Sequence, residues 1–449
     1  MLKKTKIFLV FALALVMCYA SIPSAMAAPG NATETSQAAI AKVLKVPYGT
    51  AIPANMTFKF EIAAQSLNGD NSNDSKAKAM AGLDTTVVVN GVASIIFDGN
   101  ATKQIDKGTV AGITTWNYES AGLFVATQFP HAGIYEYTIT ETPDTYIIAD
   151  PLHEATVYSQ AKYIVKVYVK DSASGLVITH IGAVKIVDDD GKDIPDSEQT
   201  KVDPTPGKSE MAFTNKYEKT NGPTKPEEPD PTKSTLDISK IVTGQFGSST
   251  TYFNFSLTIT LPGLIDKYLK PYYTAFVVEK GIIVDPTKNV AATSTSLIGT
   301  TAGGLKYIRF DRVGTSLIAS ANFLLKDGQT LMFTDTPVGT SYTLTETGEV
   351  GYKTSAEVTW NGSSPATKVS EGDLAAGIVL PSNNNIDIMM LYVGEAANRA
   401  VITNDAGDIT PTGLDLNDLP FIGLIVLALI SLVAFIVVKS RKKAKDTQF

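Results

Sequence analysis

Two sets of three residues pair an amine, a carboxyl and a side-chain amide in the same chain order: Lys42, Glu141 and Asn215, then Lys240, Glu346 and Asn404. Each lysine opens a block of alternating apolar residues. Each glutamate closes a Tyr-Thr-(Ile/Leu)-Thr-Glu run, and each asparagine closes a segment ending Thr-Asn. In a strand, residues two apart share a face. Lys42 is in phase with Ile40, Leu44 and Val46, Glu141 with Tyr135, Tyr137 and Ile139, and Asn215 with Met211 and Phe213. Lys240 follows Leu236 and Ile238 and precedes Val242, Glu346 follows Tyr342 and Leu344, and Asn404 follows Ile402. All six therefore fall on apolar faces, where isolated ionisable groups are costly.

The chemistry that fits is an isopeptide bond between lysine and asparagine, assisted by glutamate. Burial favours the free amine and the neutral acid. The amine would attack the asparagine side-chain carbonyl. The protonated glutamate would hydrogen-bond that carbonyl, polarise it and relay protons until ammonia leaves. Packing supplies the effective concentration that free amides lack. Such a bond is one turnover of the chain on itself, which does not make it an enzyme. The plainer reading places the six as polar strand ends at a sandwich rim. Their repetition in the same order and phase weighs against it.

Positioning such groups calls for strands. Residues 38–218 read almost entirely as β, for example Thr57–Ile62, Ile134–Ile139 and Tyr163–Val169, and no long amphipathic helix is convincing. A proline-rich stretch centred on Pro223–Pro231 then breaks the pattern as a semi-stiff linker. A second β block runs from Leu236–Val242 to Ala400–Asn404. The expected fold is all-β, with two tandem immunoglobulin-like (CnaB-like) β-sandwich domains over 38–218 and 234–405 and a linker over 219–233.

The termini read as targeting segments. Lys3, Lys4 and Lys6 precede an apolar run from Ile7 to Met17 and then Ala25-Met26-Ala27, so residues 1–27 are expected to be a signal peptide and 28–37 a leader. The single cysteine, Cys18, lies inside that segment, which leaves the mature chain without disulfides. Near the other end, the apolar run Leu419–Val438 spans roughly 30 Å as a helix, the thickness of a bilayer core. The basic tail, 439–449, fits the positive-inside rule, so everything before Leu419 is expected outside the cytoplasm.

Net charge is -7, and no basic patch points to nucleic acid. Asp188–Asp193 resembles a calcium loop, but Lys192 and Asp193 occupy positions that the loop gives to a ligand and a glycine, so it reads as an acidic hairpin turn. His131, His153 and His180 lack metal-ligand spacing. Neither metal nor cofactor is expected, and no nucleophilic triad or phosphate loop supports a secreted enzyme.

Thr410-Pro411-Thr412-Gly413, followed by the apolar run and basic tail, resembles a Gram-positive cell-wall sorting signal over 406–449. It is similar to the Val-Pro-Thr-Gly variant of streptococcal major pilins, with Thr410 in place of Val. A second candidate, Leu419–Gly423, lacks the threonine and runs into the apolar segment. With the two triads and the segment from Lys326-Asp327-Gly328 to Pro337-Val338-Gly339, the chain resembles the sortase-assembled backbone pilins of group A streptococci, the T-antigen type with isopeptide-linkage domains. It departs in its longer loops, longer proline-rich linker and Thr410. The resemblance implies cleavage after Thr412 by a sortase and transfer to an amine of another copy. The corresponding amine is Lys208, in Thr205-Pro206-Gly207-Lys208-Ser209, with Lys201 as the next candidate and an ordinary exposed lysine as the bland one. The partners implied are sortase, further copies of the chain, peptidoglycan and accessory pilins, at the surface of a Gram-positive cell. An adhesin anchored singly to the wall is the alternative.

Overall fold

The computed structural model describes residues 36–97, 105–110, 112–222, 229–347, 349, 351–363, 367–369, 378–379, 392–407, 424–433, 435 and 439. The expected signal peptide, most of the leader, the middle of the linker, the Thr410–Gly413 motif and most of the basic tail lie outside them. Residues 424–433 are helical, and no helix among the described residues is long and apolar enough to cross a membrane.

The first unit is a sandwich of a five-stranded and a seven-stranded sheet. At the centre of the five-stranded sheet, Ala41–Pro47 lies parallel to Ala212–Lys219, with Lys42 opposite Phe213 and Leu44 opposite Asn215. Glu154–Val157 pairs antiparallel to the far side of Ala212–Lys219. In the facing sheet, Gly133–Thr142 lies between Met56–Leu67 and Lys162–Ser172. Alternation puts Phe58, Phe60, Ile62, Tyr135, Tyr137, Ile139, Val165 and Val167 into one core against Leu44, Val46 and Phe213. An eight-residue helix, Asn73–Met80, interrupts the β pattern. Ser72 caps it by accepting from the Ser75 N–H, and Tyr137 ties its end through a 2.7 Å hydrogen bond to the Ala79 carbonyl.

The second unit reaches the same end by a different route. Its strands form one continuous 13-stranded sheet rather than two separate ones. Leu236–Thr243 again lies parallel to the last strand, Arg399–Asp405, with Val242 opposite Asn404. On its other side come Gln329–Phe333, Tyr272–Glu279, Lys306–Arg312, Ile318–Leu325, Phe253–Thr260 and then Ser341–Glu346. The sheet curls far enough for Ser341–Glu346 to face Leu236–Thr243 across a second core that includes Ile238, Phe255, Leu257, Leu344 and Ile402.

The units touch directly. The strand ending at Lys219 runs into the stretch read as linker, and the Val338 N–H donates to the Lys219 carbonyl at 2.9 Å. Glu218, fully buried, accepts from the Ile265 N–H at 2.8 Å beside Tyr268. Tyr48 stacks on Trp360 with ring centroids 5.6 Å apart.

Candidate functional site

Each lysine is buried on its unit's first strand, Lys42 as the second residue of Ala41–Pro47 and Lys240 as the fifth of Leu236–Thr243, and each glutamate reaches it from the facing strand layer. In the first unit, Lys42 Nζ lies 2.8 Å from Glu141 Oε2 and 3.1 Å from the Phe213 carbonyl. The other Glu141 oxygen accepts from Asn215 Nδ2 at 2.7 Å. In the second unit, Lys240 Nζ lies 3.0 Å from Glu346 Oε2, and Glu346 Oε1 accepts from Asn404 Nδ2 at 2.6 Å. All six residues are buried. Strands far apart in sequence therefore bring amine, carboxyl and amide together twice.

Two phenylalanines floor each site. Lys42 Nζ stands 4.6 Å from the centroid of Phe58 and 6.0 Å from that of Phe60. Lys240 Nζ stands 4.3 Å from Phe253 and 5.8 Å from Phe255. Aromatic faces tolerate a cation yet exclude water. Burial holds both lysines down to about 8 despite the opposing pull of the paired glutamate. The same burial pushes Glu141 and Glu346 up. Both directions favour moving the proton from ammonium to carboxylate, which yields a nucleophilic amine beside an acid.

One contact differs from the sequence-based expectation. The glutamate meets the asparagine amide nitrogen, not its carbonyl. Amide orientation is fixed in the first unit because the Ser159 N–H donates to Asn215 Oδ1 at 2.7 Å, and a backbone donor cannot face an NH2 group. Glu141 therefore bridges two nitrogens, Lys42 Nζ and Asn215 Nδ2, one through each carboxyl oxygen.

The remaining sequence-derived residues lie elsewhere. Lys208 follows a Pro206-Gly207 turn in which Gly207 has a φ of +88°, a conformation that disfavours a side chain. Its side chain is 56% exposed and pairs with Asp203 at 2.7 Å. Lys201 is exposed at the start of the short strand Lys201–Val202. Thr410, Pro411, Thr412 and Gly413 lie outside the described residues. Asp189 of the acidic turn points inward, accepting from Ser159 Oγ, the Thr214 N–H and Lys185 Nζ at 2.6, 2.8 and 2.7 Å.

Two features escape a reading centred on the triads. The repeated Phe-x-Phe of Phe58/Phe60 and Phe253/Phe255 is visible in the sequence as a fourth shared landmark. Ser159 and Asp189 carry no comparable local signal.

Residues 38–218 match the family described as the Spy0128-like isopeptide containing domain, and residues 234–377 match a domain family of unknown function (DUF7601). No curated protein shows significant sequence similarity to the chain. Among solved structures, the major pilin from Streptococcus pyogenes is 16% identical over 83% of this chain and 100% of its own, with a TM-score of 0.30. The T-13 major pilin from a Streptococcus pyogenes serotype is 20% identical over 84% and 99%, with a TM-score of 0.27. These scores carry no weight of their own, so the assignment rests on the family match. Over residues 38–218, less than half of its length, the chain is similar to the Spy0128-like isopeptide containing domain family.

Proposed function

We propose that the chain is the structural backbone subunit of a sortase-polymerised, wall-anchored pilus, and that each unit is stapled by a lysine–asparagine isopeptide bond. The observation that carries the reading is the buried contact of Lys42 and Asn215 with the two oxygens of Glu141, within the segment that matches an isopeptide family. In the reaction, Lys42 Nζ bonds to Asn215 Cγ, the Cγ–Nδ2 bond breaks, and Glu141 relays one proton from Nζ to Nδ2, which departs as ammonia. Lys240, Glu346 and Asn404 do the same in the second unit.

The ends of the chain support the assembly half of the proposal. An export signal at residues 1–27, a Thr410-Pro411-Thr412-Gly413 motif and an apolar run with a basic tail form the order that a sortase requires. The acyl group of Thr412 would pass through the enzyme's thioester to Lys208 of another copy. Sortase, sister subunits, peptidoglycan and accessory pilins are then the partners, at the surface of a Gram-positive cell. The chain acts once on itself and turns over no substrate.

Intact mass of residues 38–407 tests the bonds. A loss of two ammonias is expected, and an unshifted mass in a folded sample overturns them. Wall extracts boiled in detergent test the assembly: covalent ladders support the shaft, and a single band supports an adhesin anchored one copy at a time.

A further inference from the structure

The two sites share lysine, glutamate, asparagine and phenylalanines but differ at the carbonyl that the lysine must attack. In the first unit, Asn215 Oδ1 receives the Ser159 N–H at 2.7 Å. In the second, Asn404 Oδ1 is buried without a hydrogen-bond partner among the described residues.

The strands explain the difference. Glu154–Val157 leaves its ladder with Ala212–Lys219 after Val157, and the chain turns inward through Ser159 to join the opposite sheet at Lys162. That departure frees the Ser159 N–H from the ladder and aims it at the neighbouring asparagine side chain. Lys353–Thr359 has the same antiparallel place beside Arg399–Asp405 but stays paired through Thr359, so its backbone remains committed to that ladder.

Asp189 fixes the donor. It accepts from Ser159 Oγ at 2.6 Å and from the N–H of Thr214, next to Asn215, at 2.8 Å, while Lys185 Nζ balances its charge at 2.7 Å. The Ala161 N–H closes the turn onto Ser159 Oγ at 3.1 Å. One carboxylate thus positions both the donor and the strand that bears its acceptor. Ser159 itself is buried, so the hydrogen bond to Oδ1 is shielded from water.

We propose that the Ser159 N–H is an oxyanion donor for bond formation in the first unit, with Asp189 as its positioning residue, and that the first unit closes its bond before the second. This rests on the isopeptide reading above. When Nζ adds to Cγ, the carbonyl π pair moves onto Oδ1, where the N–H stabilises it. Collapse returns that pair to the carbonyl and expels Nδ2 as ammonia with the proton relayed by Glu141. A preorganised donor of this kind is worth roughly 10²–10³ in rate.

The test starts from full-length mature chain collected in denaturant and diluted into neutral buffer, quenched at intervals and digested so that each linked peptide pair is quantified. The 42–215 link is expected at least about ten-fold ahead of the 240–404 link. Replacing Ser159 by its α-hydroxy acid exchanges only the N–H for an oxygen. It should slow the 42–215 link by roughly 10²-fold and leave the 240–404 link at its native rate. Equal rates in the native chain, or a native 42–215 rate in the substituted one, overturn the proposal. If the substituted chain fails to fold, the order of the links in the native chain decides. Absence of both links from folded native chain would instead refute the isopeptide reading itself.

Discussion

Glu141 accepts from Asn215 Nδ2 at 2.7 Å while its other oxygen holds Lys42 Nζ at 2.8 Å. One carboxyl group touches both the lysine amine and the asparagine amide nitrogen, the attacking and leaving atoms of the proposed reaction. The proposed isopeptide reaction gives it the role of proton transfer between them, which an isosteric amide cannot perform. Glu141→Gln should slow the 42–215 link by roughly 10²–10⁴-fold. The purified variant should fall short of its own sequence mass by one ammonia, where the native protein falls short by two. A deficit of two ammonias in the variant would remove Glu141 from the reaction.

The same geometry sets the pH dependence of linking. The productive pair holds one proton, shared between amine and carboxyl. Burial pushes Glu141 up and holds Lys42 down to about 8. Below the raised carboxyl value both groups are protonated and the amine is blocked; above about 8 the last proton is lost and the relay has nothing to pass. The rate of 42–215 linking after dilution from denaturant should be bell-shaped, with its alkaline limb near pH 8. A rate still climbing beyond pH 9 would show that free amine alone limits the reaction.

Removing the link should cost stability. A crosslink closing the loop from residue 42 to 215 is worth about 5 kcal/mol in the chain-entropy account. Asn215→Ala deletes the link while keeping the Lys42–Glu141 contact, so the first unit should melt lower and yield to protease sooner. Lys42→Ala should cost more, because it also leaves Glu141 buried without its cation. An unchanged melting profile in both variants would contradict the link.

Glu218 makes the contact between the units sensitive to alkali. Burial pushes its carboxyl up to about 8, against an ordinary value of 4.5. A raised carboxyl value means that its stabilising contribution is complete below about 4.5 and falls away as pH rises to about 8. Tyr268 lies near both Glu218 and Glu154, and Lys219 pairs with Glu395 at 2.9 Å. Glu218→Gln keeps a neutral acceptor for the Ile265 N–H, so it should flatten the fall in melting temperature between pH 5 and 9. An identical pH profile in variant and native chain would rule this carboxyl out.

For the link between subunits, Lys208→Ala should abolish detergent-resistant ladders while leaving the intact-mass shift unchanged. Ladders that persist with Thr412 joined to Lys201 would move the acceptor.

The burial of Lys42, Glu141, Asn215 and their counterparts is legible because a strand's period of two ties each to its apolar neighbours. What alternation cannot reveal is how side chains turn once buried, so the glutamate's contact with the amide nitrogen instead of the carbonyl needs coordinates. Ser159 and Asp189 are illegible for a related reason: their partners arrive only when a strand leaves one sheet for the other. The helix Asn73–Met80 was readable from Ser72 as a cap and the Lys-Ala-Lys-Ala-Met run, but its short length hid it among strands. The continuous second sheet depends on pairings at both edges of Tyr272–Glu279, which local pattern does not encode.

In each unit the first and last strands are parallel neighbours, Ala41–Pro47 with Ala212–Lys219 and Leu236–Thr243 with Arg399–Asp405. The chain thus enters at one end of the pair and leaves at the other. A pull on the two chain ends drags these strands along their own axes, loading their hydrogen bonds together in shear rather than peeling them apart singly. With Lys42 joined to Asn215 and Lys240 to Asn404, the load would pass straight from entry strand to exit strand. The sandwich between them would then bear none of it.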